Sequence, residues 1–132
     1  PLAIIEKRRV GNLDRAELMN VIGDVKGKRA IIVDDMIDTA GTLCAAAETV
    51  ANEGASRVMA CATHGVFSGK AFANLEASPL EQIVVTDTLP LRPGAPDKIK
   101  VLTVADILTD SIRRIFTDDS VSEIFAGENQ LF

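Results

Sequence analysis

Ten residues, Val33-Asp34-Asp35-Met36-Ile37-Asp38-Thr39-Ala40-Gly41-Thr42, hold the densest chemistry in this chain. Thr39, Ala40, Gly41 and Thr42 are small and hydroxyl-rich, and a helical pattern begins directly after them. Backbone N–H groups at a helix start attract anions, so this stretch has the physics of a phosphate cradle. Asp34, Asp35 and Asp38 stand beside it. Carboxylates repel phosphate, so their work differs: they accept hydrogen bonds from sugar hydroxyls or hold Mg2+. Phosphate at one end and hydroxyls at the other describe a sugar phosphate. A plain helix start, with Asp38 as a cap together with Thr39 or Thr42, accounts for one acid. It does not account for adjacent Asp34-Asp35. Neither G-x-x-x-x-G-K-[ST] nor G-x-G-x-x-G occurs, so P-loop and Rossmann fingerprints are absent.

These residues need elements to position them. Residues 29–33 (RAIIV) form a short apolar run followed by acids, the pattern of a buried parallel strand. From Thr42 the period becomes helical, with Leu43, Ala47 and Val50 on one face and Gly54 placed to end the helix at C′. Residues 57–63 (RVMACAT) read as a second strand, and 70–76 as a short helix that stops before Pro79. Residues 82–86 (QIVVT) and 100–104 (KVLTV) give two more strands. Val104, Leu108, Ile112, Ile115 and Phe116 keep a helical stripe. The order predicts an α/β fold, a mainly parallel sheet with flanking helices. Ligands of such sheets bind at the carboxyl ends of strands, where the ten residues fall. Pro90, Pro93, Gly94 and Pro96 mark an irregular connection, and residues 7–12 (KRRVGN) read as an exposed, mobile basic loop. Phe72 and Phe116 fall on helical stripes and read as core.

The chain has 132 residues, 47% hydrophobic and 25% charged, which fits one globular domain over residues 1–132. The net charge of −5 excludes a broad basic field for nucleic acid. No stretch approaches the ~20 apolar residues of a membrane helix. Cys44 and Cys61 have no His at zinc spacing and sit among apolar residues, so they read as core rather than as a disulfide framework, metal site or nucleophile. A cytoplasmic protein is expected. The first residue is Pro1, and the chain reads as a piece of a longer one. His64 is the only histidine. A strand-end histidine held by hydrogen bonds is the reading preferred over a general base.

VDDMIDTAGT resembles the loop shared by type I phosphoribosyltransferases and ribose-phosphate diphosphokinases (PRPP synthetases). Glu6-Lys7-Arg8-Arg9, Gly23-Asp24-Val25, Thr63-His64-Gly65-Val66-Phe67-Ser68-Gly69, Val84-Val85-Thr86-Asp87-Thr88 and Ser120-Val121-Ser122-Glu123-Ile124-Phe125 resemble the second family. That resemblance implies a type I phosphoribosyltransferase-like fold and the C-terminal half of a two-domain enzyme, without the N-terminal domain that carries metal and nucleotide contacts. It implies transfer of the diphosphoryl group of Mg-ATP to ribose 5-phosphate, giving PRPP and AMP. Lys7 and Arg9 match the loop that closes over the reacting phosphates, with Arg9 also on the substrate side. Asp34, Asp35, Asp38, Thr39, Ala40, Gly41 and Thr42 match the ribose 5-phosphate loop. Asp34 and Asp35 would meet Mg2+ only through the Mg-substrate, the main metal ligands lying in the N-terminal domain.

Ser120, Val121 and Ser122 match a segment that helps bind phosphate or ADP as an effector, and a helix cap at Ser122 explains them equally well. The family implies a homo-oligomer, a hexamer. On this reading the isolated piece is catalytically silent. Two other readings stand beside it: a non-catalytic PRPP-synthetase-associated subunit, and a type I phosphoribosyltransferase. Intact Lys7, Arg9 and loop argue against the first, and the lack of a base-recognition hood argues against the second.

Overall fold

In a computed structural model of the chain, residues 1–9 and 17–125 are described. Two compact units divide it, Pro1–Leu102 and Thr103–Phe132. The larger unit opens with an antiparallel hairpin, β1 (Ile4–Arg9) against β2 (Glu17–Ile22), in register from Ile4 opposite Ile22 to Arg9 opposite Glu17. Lys7, Arg8 and Arg9 therefore lie on a strand and not on the loop expected from their polarity. Pairing to β2 supplies the backbone hydrogen bonds that a run of three charges conceals in the sequence. The side chains of Lys7 and Arg9, and residues 10–12 of that expected loop, lie outside the described residues.

The parallel sheet follows, with β3 (Arg29–Ile37), β4 (Arg57–Gly65), β5 (Leu80–Thr86) and β6 (Ile99–Leu102) side by side in chain order. Helices α1 (Gly41–Asn52) and α2 (Ala71–Ala77) make the crossovers. The expected α/β architecture is present. Alternation along β4 decides which face is covered: Val58, Ala60 and Ala62 are buried in one cluster with Leu43, Ala47 and Val50 of α1 and Ala71 and Leu75 of α2. Many of these are alanines, which let helix and sheet approach closely. α1 stops as its sequence predicts. Gly54 takes φ 90°, its N–H bonds Ala51 O, and Ala55 N–H reaches back to Val50 O, the paired bonds of a Schellman motif.

Four strand boundaries differ from expectation by two residues or more: β4 runs on to Gly65, β5 starts at Leu80, and the ends of β3 and β6 also move. β3 runs four residues past Val33, to Ile37, so Asp34 and Asp35 sit within a strand. Pairing of Asp34 with Ala62 and of Met36 with His64 overrides the low strand propensity of aspartate. β6 ends at Leu102, and Val104 becomes the N-cap of α3 (Ala105–Phe116).

In the smaller unit α3 is followed by a 3-10 turn, Val121–Phe125. Arg114 ties them, donating through Nη1 to Ser120 O (2.9 Å) and Glu123 Oε2 (2.8 Å). The apolar stripe of α3 is exposed, and Phe116 is 85% exposed rather than in the core. The deeply buried aromatic is Phe67, at 1% exposure, with the Phe72 ring 5.4 Å away.

Candidate functional site

The turn from β3 into α1 lies at the carboxyl end of the sheet. Ala40 is the N-cap of α1 and adopts the left-handed conformation (φ 63°, ψ 3°), with no side chain capping the helix. Asp38 therefore does not cap, and the plain-helix account of that acid has no bond behind it. The first turn also holds no acidic residue. An uncapped, uncompensated helix start keeps its orphan N–H groups and its partial positive charge for an incoming anion. A Cβ on Gly41 would meet only Thr39 Oγ1, at 3.9 Å, so the space beside Gly41 is open. Gly41 is not demanded by backbone conformation. The left-handed residue is Ala40, where the conformation costs about 1–2 kcal/mol.

The surroundings hold that conformation in place. Cys44 N–H donates to Ala40 O (2.9 Å), the first bond of the helix. From the segment after β4, Phe67 N–H donates to Ile37 O (2.9 Å) and Ser68 N–H to Asp38 O (3.1 Å). Asn74 of α2 donates through Nδ2 to Thr39 O at 2.9 Å. Asn74 did not stand out in the sequence, since it acts across 35 residues, and Phe67 entered only as part of the run 63–69. Phe67 is itself left-handed (φ 49°), and a Cβ on Gly65 would lie 2.4 Å from its Cε2, so only glycine fits at Gly65 without a shift.

Asp34, Asp35 and Asp38 are exposed. Asp34 Oδ1 accepts from Asp35 N–H (2.9 Å), and Asp35 Oδ1 from Met36 N–H (2.7 Å). Consecutive strand residues point to opposite faces. Asp34 and Thr42 line one cavity of about 560 Å³, walled elsewhere chiefly by apolar residues such as Val21, Ile32 and Leu43. Asp34 is thus brought together with the start of α1, while Asp35 does not line that cavity. The adjacent acids do not converge. Among the described residues no group of three or more His, Cys, Asp or Glu could hold a metal ion. A single carboxylate fits an Mg2+ that binds substrate phosphates and keeps its waters.

His64 Nδ1 lies 2.9 Å from Thr88 Oγ1, and Thr86 Oγ1 donates to Thr63 O at 2.7 Å, so the strand-end histidine is hydrogen-bonded as expected. Cys44 is buried, and burial pushes its thiol pKa up, which keeps it protonated and unreactive. Ser122 lies inside the 3-10 turn Val121–Phe125 instead of capping a helix.

The fold and site define a parallel α/β domain with an uncapped helix start at the carboxyl end of its sheet. Residues 11–126 match the family described as Phosphoribosyl synthetase-associated domain, and the chain belongs to that family. Relatives named ribose-phosphate pyrophosphokinase include that of Caldanaerobacter subterraneus subsp. tengcongensis, 55% identical over 126 residues (95% of this chain, 40% of the relative). The Clostridium acetobutylicum protein is 54% identical over 129 residues (97% and 40%). The crystal structure of phosphoribosylpyrophosphate synthetase from Mycobacterium smegmatis superimposes with a TM-score of 0.79 at 39% identity, covering 89% of this chain and 37% of that one. The chain spans about 40% of the length of the curated relatives it matches. No described helix is long and apolar enough to cross a membrane.

Proposed function

We propose that this chain is the ribose-phosphate-holding part of a ribose-phosphate diphosphokinase. The 1-hydroxyl oxygen of ribose 5-phosphate attacks the β-phosphorus of ATP. The bond from that phosphorus to the AMP oxygen breaks, giving PRPP and AMP. The single observation that carries the reading is the uncapped start of α1 at Ala40, whose first-turn residue Thr42 lines one cavity with Asp34. The N–H groups of residues 40–42 hold the 5-phosphate. Thr39 and Thr42 add hydroxyl donors, Asp34 accepts from the ribose hydroxyls, and Asp38 stands at the mouth of the turn. Lys7 and Arg9, carried over from the family, neutralise charge on the transferring group. Mg2+ would bind chiefly to the substrate phosphates, with Asp34 or Asp35 meeting it only through the Mg-substrate, and would supply further charge neutralisation. Phosphate or ADP at residues 120–122 and assembly into a homo-oligomer belong to the same reading.

The test compares sugars on the full-length protein by calorimetry. Ribose 5-phosphate is expected to bind and ribose far more weakly, and AMP release from ATP should require ribose 5-phosphate. Equal affinity for the two sugars would refute the phosphate role of the turn.

A further inference from the structure

We infer that Asn74 is a positioning residue for the phosphate turn. The inference rests on the reading above, that residues 39–42 hold the 5-phosphate. Ala40 occupies a conformation that L-residues leave unless their surroundings over-determine it. Three bonds from the β4–α2 side hold the carbonyls just before it. Phe67 and Ser68 N–H fix Ile37 O and Asp38 O, and Asn74 Nδ2 fixes Thr39 O. The first two come from backbone, so nearly any sequence could make them. The third depends on one side chain.

Its position in the peptide matters. Thr39 O and Ala40 N belong to the same peptide plane, so a donor held on that oxygen turns the Ala40 N–H to the opposite side. Asn74 thus orients an N–H of the cradle without touching the ligand. The donor is itself well placed. Leu75, next to it, is fully buried, and α2 is fixed at its far end by Lys98 Nζ, which donates to Glu76 O, Ser78 O and Leu80 O at 3.0–3.3 Å. Asparagine also suits the task better than aspartate, whose carboxylate would face the Thr39 carbonyl and repel the incoming phosphate.

The experiment uses the full-length protein with Asn74→Leu and Asn74→Asp, and ribose 5-phosphate and ATP as ligands. Loss of one neutral hydrogen bond predicts an affinity for ribose 5-phosphate about 3–10-fold weaker in Asn74→Leu, and weaker again in Asn74→Asp. The KM for ribose 5-phosphate should rise while the KM for ATP and kcat change less than twofold. Amide exchange at Cys44, whose N–H donates to Ala40 O, should quicken, with the later α1 amides of Ala47 and Val50 unchanged. Wild-type affinity and wild-type exchange in both variants would overturn the inference. If the wild-type protein fails to bind ribose 5-phosphate, the functional reading falls. The exchange measurement then still decides whether Asn74 sets the turn.

Discussion

Gly65→Ala is the sharpest single test of how the turn is held. A Cβ at this position would stand 2.4 Å from Phe67 Cε2, 3.0 Å from Cζ and 3.2 Å from Cδ2. Ordinary contact begins near 3.4 Å, so the Phe67 ring must retreat by about 1 Å. It has nowhere to go, because Phe67 is 1% exposed and packed in the core beside Phe72. Overpacking of this kind costs about 1–3 kcal/mol. For a chain of this length that lowers Tm by about 5–15 °C.

The displacement does not stop at the ring. Phe67 and Ser68 carry the N–H groups that hold Ile37 O and Asp38 O, so the turn before α1 moves with them, and affinity for ribose 5-phosphate should drop in the same variant. Thermal unfolding and calorimetric titration read the two effects. Phe67→Leu, which removes the clashing ring atoms, should recover part of the stability of Gly65→Ala, so the double-mutant cycle is non-additive by about 1 kcal/mol or more. A Gly65→Ala protein with wild-type Tm, or strictly additive variants, would refute the reasoning.

Two further predictions concern a buried thiol and the hairpin. Burial, more than the Glu48 charge, raises the Cys44 pKa, so the unfolded chain releases this proton first as pH rises. Stability should therefore fall above the ordinary thiol pKa of about 8.5 and continue falling until the folded thiol titrates. Denaturant unfolding at stepped pH should show that Cys44→Ala removes this part of the slope; an unchanged slope would contradict it. Lys7→Ala in the full-length enzyme should lower kcat on the order of 10²-fold with a smaller change in the KM for ribose 5-phosphate, as expected of a contact made chiefly in the transition state. Steady-state kinetics check this, and an unaltered kcat would remove Lys7 from the chemistry.

Much of the sheet was readable from residue patterns because β-branched runs such as Ile31-Ile32-Val33 and Ile83-Val84-Val85 leave little alternative. The end of α1 was readable because Gly54 makes a local bond pattern. The hairpin was not. Glu6-Lys7-Arg8-Arg9 places charge at successive positions, which erases the alternation a strand shows, and only β2 reveals the pairing. The candidate site was legible as a segment and not as a geometry. Asp34 and Asp35 look like a chelating pair until strand alternation separates them. Glycine at 41 draws attention, yet the left-handed residue is Ala40, a placement imposed from Phe67, Ser68 and Asn74 far along the chain. Phe116 leaves its expected place in the core for a similar reason: periodicity identifies an apolar stripe and says nothing of what covers it.

The neighbour-to-neighbour order β3-β4-β5-β6 bears on how the chain folds during synthesis. Each new strand docks on the edge made by the strand before it, and no strand must insert between two already paired. Each loop closure spans only one crossover, which keeps the entropic barrier of a parallel sheet modest. Growth is vectorial, matching the direction in which a ribosome delivers the chain. The turn before α1 is an exception to that sequence. Its bond to Asn74 spans 35 residues, so β3 and α1 emerge well before the side chain that orients Thr39. The turn is therefore set late, after α2 has docked, and a nascent chain halted before Asn74 has β3, α1 and β4 without the side chain that orients Thr39.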